Sequence, residues 1–106
     1  MTPLPEAVRA RAAAVELVSF DVDGVLTDGR LLYTERGDEI KAFHVQDGSA
    51  IKLLLEYGVQ VALITGRRSE IVARRAAELG IEHVFQGVAD KTLALEELCA
   101  RLRLPA

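Results

Sequence analysis

Two short apolar segments, residues 17–22 and 59–64, constrain the fold more than any other feature of the sequence. Each has the length and the branched side chains of a buried strand, and each is followed along the chain by a segment with helical periodicity. Strands that alternate with helices pair in parallel through right-handed crossovers. The sequence therefore predicts a layered α/β domain, with helices against a Rossmann-like parallel sheet.

Turn residues, helix caps and apolar periodicity predict the other elements. In chain order these are a surface helix over 4–15, hairpin strands over 31–34 and 39–45, a helix from the Asp47-Gly48-Ser49 segment to Gly58, a helix over 69–79, a short strand over 83–85 and a helix capped by Asp90. The hairpin, an insertion over 29–45, is predicted because Glu35-Arg36-Gly37-Asp38 supplies turn conformations. We expect a single domain over 1–106.

Length and charge exclude several classes of protein. The 106 residues suffice for one domain and not for two. Thirteen Lys and Arg against sixteen Asp and Glu give a net charge of -3 without a basic block, so no nucleic-acid partner is expected. No apolar segment approaches spanning length and no signal pattern opens the chain, so we expect no membrane partner and a cytoplasmic location. The single Cys99 rules out an internal disulfide.

Reactive side chains follow the predicted strands, at the sheet edge where parallel sheets bind ligands. Strand one ends in Asp21-Val22-Asp23-Gly24, and strand two ends in Thr65-Gly66-Arg67. Asp21 and Asp23 share a strand face, and two ionised carboxylates repel each other, which favours a shared proton or a bound cation such as Mg²⁺.

Lys91 is predicted at the start of the last helix. A cation there opposes the helix dipole by roughly 0.3 to 1 kcal/mol. A bound phosphate would reverse the sign of that effect, and the Thr65 hydroxyl with free main-chain N–H groups would complete an anion cradle.

Residues 20–27, 64–67 and 90–91 resemble the first three motifs of the haloacid dehalogenase superfamily of phosphohydrolases. Further segments resemble one cap-less subgroup of it, the 3-deoxy-D-manno-octulosonate 8-phosphate phosphatases of lipopolysaccharide biosynthesis; these are residues 28–30 with the hairpin, 41–48 and 74–80. Near relatives of that subgroup act on 9-phosphates of nonulosonic sugars. The resemblance extends from about residue 17 to the last residue.

The resemblance implies a Mg²⁺-dependent phosphatase. Asp21 would attack phosphorus to form an aspartyl-phosphate, and Asp23 would protonate the leaving sugar oxygen and then activate water. The Asp21 side chain and the Asp23 main-chain carbonyl would bind Mg²⁺. Thr65 and Lys91 would hold the phosphoryl oxygens, where negative charge gathers in the transition state.

The same resemblance implies the substrate contacts and the assembly. Arg67, Arg75 and Gly66 match positions that contact the acidic sugar. The hairpin would pair with its copies in a homo-tetramer, so that a neighbouring subunit covers the site. The superfamily's fourth motif, a Gly-Asp-Asp turn that supplies another Mg²⁺ carboxylate, does not occur in these residues. From this we expect a C-terminally incomplete domain that holds Mg²⁺ weakly and associates along strand one.

Other interpretations stay open. The substrate alternative is a nonulosonic acid 9-phosphate. A phospho-receiver module also places acidic residues, Thr and Lys around Mg²⁺, although on different strands, and a catalytically weak, truncated oligomerising form is a third hypothesis. We interpret His44 and His83 as structural or exposed, Asp47 as a helix cap, and Cys99 as a core or partly exposed residue.

Overall fold

Three parallel strands form the sheet that positions the predicted site. The computed structural model describes residues 5–104. Its elements are α1 (Glu6–Ala13), β1 (Leu17–Phe20), β2 (Leu32–Tyr33), β3 (Glu39–Ile40), α2 (Val45–Glu56), β4 (Gln60–Ile64), α3 (Glu70–Leu79), β5 (His83–Phe85) and α4 (Lys91–Arg101). The sheet order is β1-β4-β5, and β2 and β3 form a separate antiparallel pair. The predicted α/β class is confirmed.

The register of the sheet aligns the carboxyl ends of its strands. Phe20 of β1 pairs with Leu63 of β4, and Ile64 of β4 pairs with Phe85 of β5. The residues that follow β1 and β4, which are Asp21 and Thr65, therefore leave the sheet at the same edge.

The central strand β4 carries the core on both faces. Alternation places Val61 and Leu63 on one face, in a cluster with buried residues of α2 and α3, and Ala62 and Ile64 on the other, against Leu98 of α4. Burying a side chain of this kind contributes about 1.5 to 3 kcal/mol. The buried sheet is thus a fixed base for the residues at its carboxyl edge.

The predicted end of α3 before Gly80 and the predicted cap of α4 at Asp90 are confirmed. The Ser69 hydroxyl accepts a hydrogen bond from the N–H of Ile71 at 3.2 Å, and Asp90 Oδ1 accepts one from the N–H of Leu93 at 3.0 Å. Gly80 ends α3 with a left-handed φ of +80°.

The prediction for the start of α2 is wrong. The helix begins at Val45, and its cap is His44, whose Nδ1 accepts a hydrogen bond from the N–H of Gln46 at 3.0 Å. Asp47 lies in the first turn, where its charge suits the helix dipole without capping. The second hairpin strand is accordingly shorter than predicted, since β3 ends at Ile40.

The prediction for strand one is wrong in length and burial. β1 ends at Phe20, and its side chains are half-buried except for the exposed Ser19. Among the described residues β1 pairs on one side, with β4, whereas an apolar sequence cannot show which strand lies at the centre of a sheet. The first helix is shorter than predicted, and Leu4 lies outside the described residues. No helix in residues 5–104 is long and apolar enough to span a membrane.

Candidate active site

The segment that follows β1 folds into a compact turn around Val22. The main-chain carbonyl of Val22 accepts hydrogen bonds from the N–H groups of residues 25–27, at 3.2, 2.9 and 3.1 Å. Its side chain is fully buried, and Gly24 takes a φ of +81°, which residues with a Cβ rarely adopt. Asp21 and Asp23 flank this valine and are partly exposed. The buried side chain therefore fixes the backbone that bears both carboxylates.

Asp21 is paired with the lysine that begins α4. The Lys91 ammonium donates to Asp21 Oδ2 at 2.8 Å, and the N–H of Val22 donates to Oδ1 at 2.7 Å. Burial alone would raise the pKa of Asp21. The Lys91 hydrogen bond, the Val22 N–H and the Lys91 charge together lower it by more than burial raises it, so the pKa lies below its ordinary value of 3.8. Asp21 is therefore a carboxylate at neutral pH.

Asp23 is paired with a different lysine, which comes from the hairpin segment. The Lys41 ammonium donates to Asp23 Oδ1 at 2.7 Å and lies 2.8 Å from Glu39 Oε1 in a second ion pair. Glu39 Oε2 accepts a hydrogen bond from the Arg67 guanidinium at 2.8 Å. Two carboxylates and two cations thus alternate from the turn after β1, through the hairpin, to the loop after β4.

The pKa values of Lys41, Glu39 and Arg67 all shift toward the ionised forms of these groups. Burial lowers the pKa of Lys41, but the hydrogen bond to Asp23, the close ion pair with Glu39 and the charges of both raise it above its ordinary value. The adjacent Lys41 ammonium is the main cause that lowers the pKa of Glu39, against the opposing effect of burial. The Glu39 charge raises the pKa of Arg67.

Thr65 directly follows β4 and joins two of the loops at the carboxyl edge. Its N–H donates to the Phe85 carbonyl at 2.9 Å, and its own carbonyl accepts from the N–H of Val88 at 3.0 Å. The buried hydroxyl accepts from the N–H of Arg67 at 3.3 Å. The loops after β4 and β5 are thereby held together beside β1.

The remaining predicted substrate residues lie in different surroundings. Gly66 is exposed in the loop after β4, and a Cβ there would lie 3.5 Å from the Val88 carbonyl oxygen. Arg75 lies on α3, with its guanidinium 5.9 Å from the centre of the Phe43 ring and against Gly48 of α2. Arg75 therefore packs two helices together, and its substrate contact stays a prediction.

The oxygen atoms at this edge suit a hard divalent cation. Among the described residues no three His, Cys, Asp or Glu side chains cluster as a metal site. Each oxygen of the Asp21 carboxylate already accepts one hydrogen bond and has a second lone pair for a cation. The Asp23 main-chain carbonyl accepts no loop hydrogen bond within residues 5–104. A few protein oxygens with water in the remaining positions are a donor set that Mg²⁺ accepts. The residues present fit the predicted ion.

Comparison with known proteins defines the class. No protein-family model matches the chain. A structure described as a haloacid dehalogenase superfamily hydrolase of subfamily III A, from Legionella pneumophila, superposes with a TM-score of 0.86 at 43% identity, over 91% of this chain and 53% of that one. The chain has the haloacid dehalogenase fold, as its motifs predicted.

Within this class the relatives are 3-deoxy-D-manno-octulosonate 8-phosphate phosphatases. The Yersinia pestis enzyme is 45% identical over 101 residues, which are 95% of this chain and 54% of the relative. The Moraxella catarrhalis enzyme, solved with magnesium, phosphate and a KDO molecule, superposes with a TM-score of 0.89 at 44% identity, over 93% of this chain and 57% of that one. The chain is their homologue and spans about half of their length.

Sequence reasoning missed Lys41 and Glu39. Both lie at or beside β3, two positions apart, so they project from the same face of the hairpin. Lys41 belongs to a segment that carries the resemblance, yet no motif assigns it a role. An acidic and a basic residue at i and i+2, in a hairpin that follows the Asp-x-Asp strand, was the available signal.

Proposed function

We propose that the protein is a Mg²⁺-dependent phosphomonoesterase whose substrate is 3-deoxy-D-manno-octulosonate 8-phosphate. The observation that carries the proposal is the 2.8 Å contact between the Lys91 ammonium and Asp21 Oδ2. It joins the first and third motifs at the carboxyl edge of the sheet, with a second carboxylate two residues after the first. The substrate follows from the names of the relatives.

Asp21 acts as the nucleophile. Its lowered pKa keeps it ionised, and a carboxylate oxygen attacks phosphorus as the bond to the sugar oxygen breaks. Asp23 gives its proton to that sugar oxygen, which leaves an aspartyl-phosphate and the free sugar. Asp23 then takes a proton from water, the water oxygen attacks phosphorus, and inorganic phosphate departs with Asp21 restored.

The cations at the site stabilise the negative charge that develops on the phosphoryl group during the reaction. Lys91, about half exposed, can turn from Asp21 toward a phosphoryl oxygen, and the Thr65 hydroxyl lies at the end of the neighbouring strand. Mg²⁺ bound to the Asp21 carboxylate and the Asp23 carbonyl would neutralise phosphoryl charge. Arg67 remains partly exposed, and a guanidinium suits the carboxylate of an acidic sugar.

We propose further that the protein is a homo-tetramer assembled through its hairpin. Leu31, Leu32, Tyr33 and Ile40 expose apolar surface, and β2 and β3 are two residues each. A two-stranded ribbon of this size is marginal alone and gains stability by packing against copies of itself.

A phosphate-release assay tests the function. The purified protein is incubated with Mg²⁺ and with 8-phosphorylated and 9-phosphorylated acidic sugars, and EDTA and Asp21→Asn serve as controls. We expect steady turnover, highest with the 8-phosphate and lost in both controls. Turnover unaffected by Asp21→Asn, or a stable phosphoprotein that releases no phosphate, contradicts the proposal, and the second result favours the receiver interpretation.

A further inference from the structure

We propose that Lys41 is the positioning residue for Asp23, and that it sets the carboxylate orientation from which the proton is given to the leaving group. This inference rests on the proposed phosphatase function. It adds to that function a residue from the hairpin, which holds the acid–base carboxylate without touching the substrate.

The burial of Lys41 indicates a specific arrangement. Its side chain is 3% exposed, whereas lysine is almost never fully buried unless it is paired. Removing an ammonium from water is energetically costly, and close carboxylates must offset that cost. Asp23 at 2.7 Å and Glu39 at 2.8 Å supply them.

The contact is asymmetric about the Asp23 carboxylate. Lys41 binds Oδ1, and among the described residues no hydrogen bond engages Oδ2. The Asp23 side chain is 27% exposed, so the unbound oxygen can reach a ligand. Lys41 holds Oδ1, and Oδ2 is therefore the oxygen that carries the proton for the leaving group and later takes one from water.

Glu39 prevents Lys41 from following Asp23 into other rotamers. It binds the Lys41 ammonium through Oε1 and the Arg67 guanidinium through Oε2, both at 2.8 Å. Two carboxylates therefore fix one ammonium, and Arg67 fixes one of them in turn. A carboxylate that meets a fixed donor loses its rotational freedom. The alternative is that the pairs only attach the hairpin to the domain.

Two substrates separate these alternatives. The departure of a sugar alkoxide needs a proton, whereas the p-nitrophenolate of p-nitrophenyl phosphate leaves without one. The ratio of kcat/KM for the two substrates reports on proton donation in the first step, because kcat/KM extends only to the first irreversible step. A variant that only loosens the hairpin lowers both values together.

The test compares Lys41→Met, which keeps the apolar stem, with Lys41→Arg, which keeps the charge, and with the exposed control Lys52→Met. We expect Lys41→Met to lower kcat/KM at least about tenfold for the sugar phosphate, a smaller loss than the roughly 10² to 10⁴ for removal of the proton-transfer group itself, and severalfold less for the aryl ester. Lys41→Arg should recover part of the ratio, and Lys52→Met should leave it unchanged.

Glu39→Gln is the second variant in case Lys41→Met does not fold. It retains Lys41 but removes one of its anchors, so the ratio should shift in the same direction by a smaller factor. An unchanged ratio in whichever of these variants folds overturns the inference. A wild-type protein without activity on either ester overturns the proposed function instead, so the two failures are distinct.

Discussion

The Lys91 ammonium and the Asp21 carboxylate lie 2.8 Å apart although 70 residues separate them in the sequence. Asp21 follows the first strand of the sheet and Lys91 begins the last helix, so the parallel topology alone brings them together. The helix dipole disfavours a positive charge in the first turn of a helix. The contact with Asp21 offsets that unfavourable interaction for Lys91.

Replacement of Lys91 should therefore reduce turnover. In the proposed reaction Lys91→Met would remove the charge that binds the phosphoryl oxygens, and we expect kcat to fall by about 10² to 10³, as when a charge-stabilising donor is lost. Lys91→Arg should retain more activity. Steady-state kinetics with Lys52→Met as the matched control measure the effect, and equal rates for Lys91→Met and the wild type would contradict it.

Substitutions of Asp21 and Asp23 should block different steps of the proposed reaction. Asp21→Asn abolishes turnover, since an amide is too weak a nucleophile to attack phosphorus. Asp23→Asn slows turnover by about 10² to 10⁴ because proton transfer is lost. Mass spectrometry of the intact protein after rapid acid quench should find a phosphorylated fraction in Asp23→Asn and none in Asp21→Asn. The reverse pattern would exchange the two roles.

The stability contributed by Glu39 should depend on pH. Its pKa in the folded protein lies below the ordinary value of 4.5, so its ionised form stabilises the folded state at pH values above about 4.5, and this stabilisation is lost as pH falls through the lowered pKa. Urea unfolding of wild type and Glu39→Gln should differ most near pH 7 and converge below pH 4.5. A difference that grows as the pH falls would show the opposite sign.

The packing of α4 against the sheet should depend most on Leu98, the α4 residue that is fully buried. Leu98 is fully buried against β4, and we expect Leu98→Ala to lower the free energy of unfolding by about 2 to 5 kcal/mol. Leu93→Ala, on the same helix but half exposed, is the control and should change it much less. Denaturant titration of both variants makes the comparison.

The proposed tetramer should depend on the hairpin. Tyr33→Asp places a charge in its exposed apolar surface, and sedimentation at micromolar concentration should show dissociation. Glu35→Asp, in the polar turn of the same hairpin, is the matched control. A wild-type protein that sediments as a monomer would end the proposal.

Much of the fold could be predicted from local chemistry. The caps at Ser69 and Asp90 and the left-handed Gly80 specify the ends of α3 and α4 without tertiary information. The parallel sheet follows from strands that alternate with helices. The start of α2 could not be predicted in this way, because the side chain that caps it belongs to His44, which is outside the usual group of capping residues.

In the candidate site, too, some features follow from the sequence and others depend on tertiary contacts. Asp21, Thr65 and Lys91 could be placed at one edge because the sheet topology alone brings them there. The pairing of Lys41 with Asp23 depends on how the hairpin folds over the turn after β1, and the pairing of Glu39 with Arg67 depends on the loop after β4. Neither relation has a sequence spacing that would predict it.

The buried side chain of Val22, which is uncharged, fixes the positions of the two carboxylates beside it. Its side chain belongs to the hydrophobic core and its two neighbours are the site carboxylates, so repacking around it can shift the backbone that bears Asp21 and Asp23. Substitutions of Val22 should therefore lower the proposed activity before they lower the stability of the fold. Variants in the adjoining core that unfold normally can still be inactive, and their defect would be invisible in a melting curve.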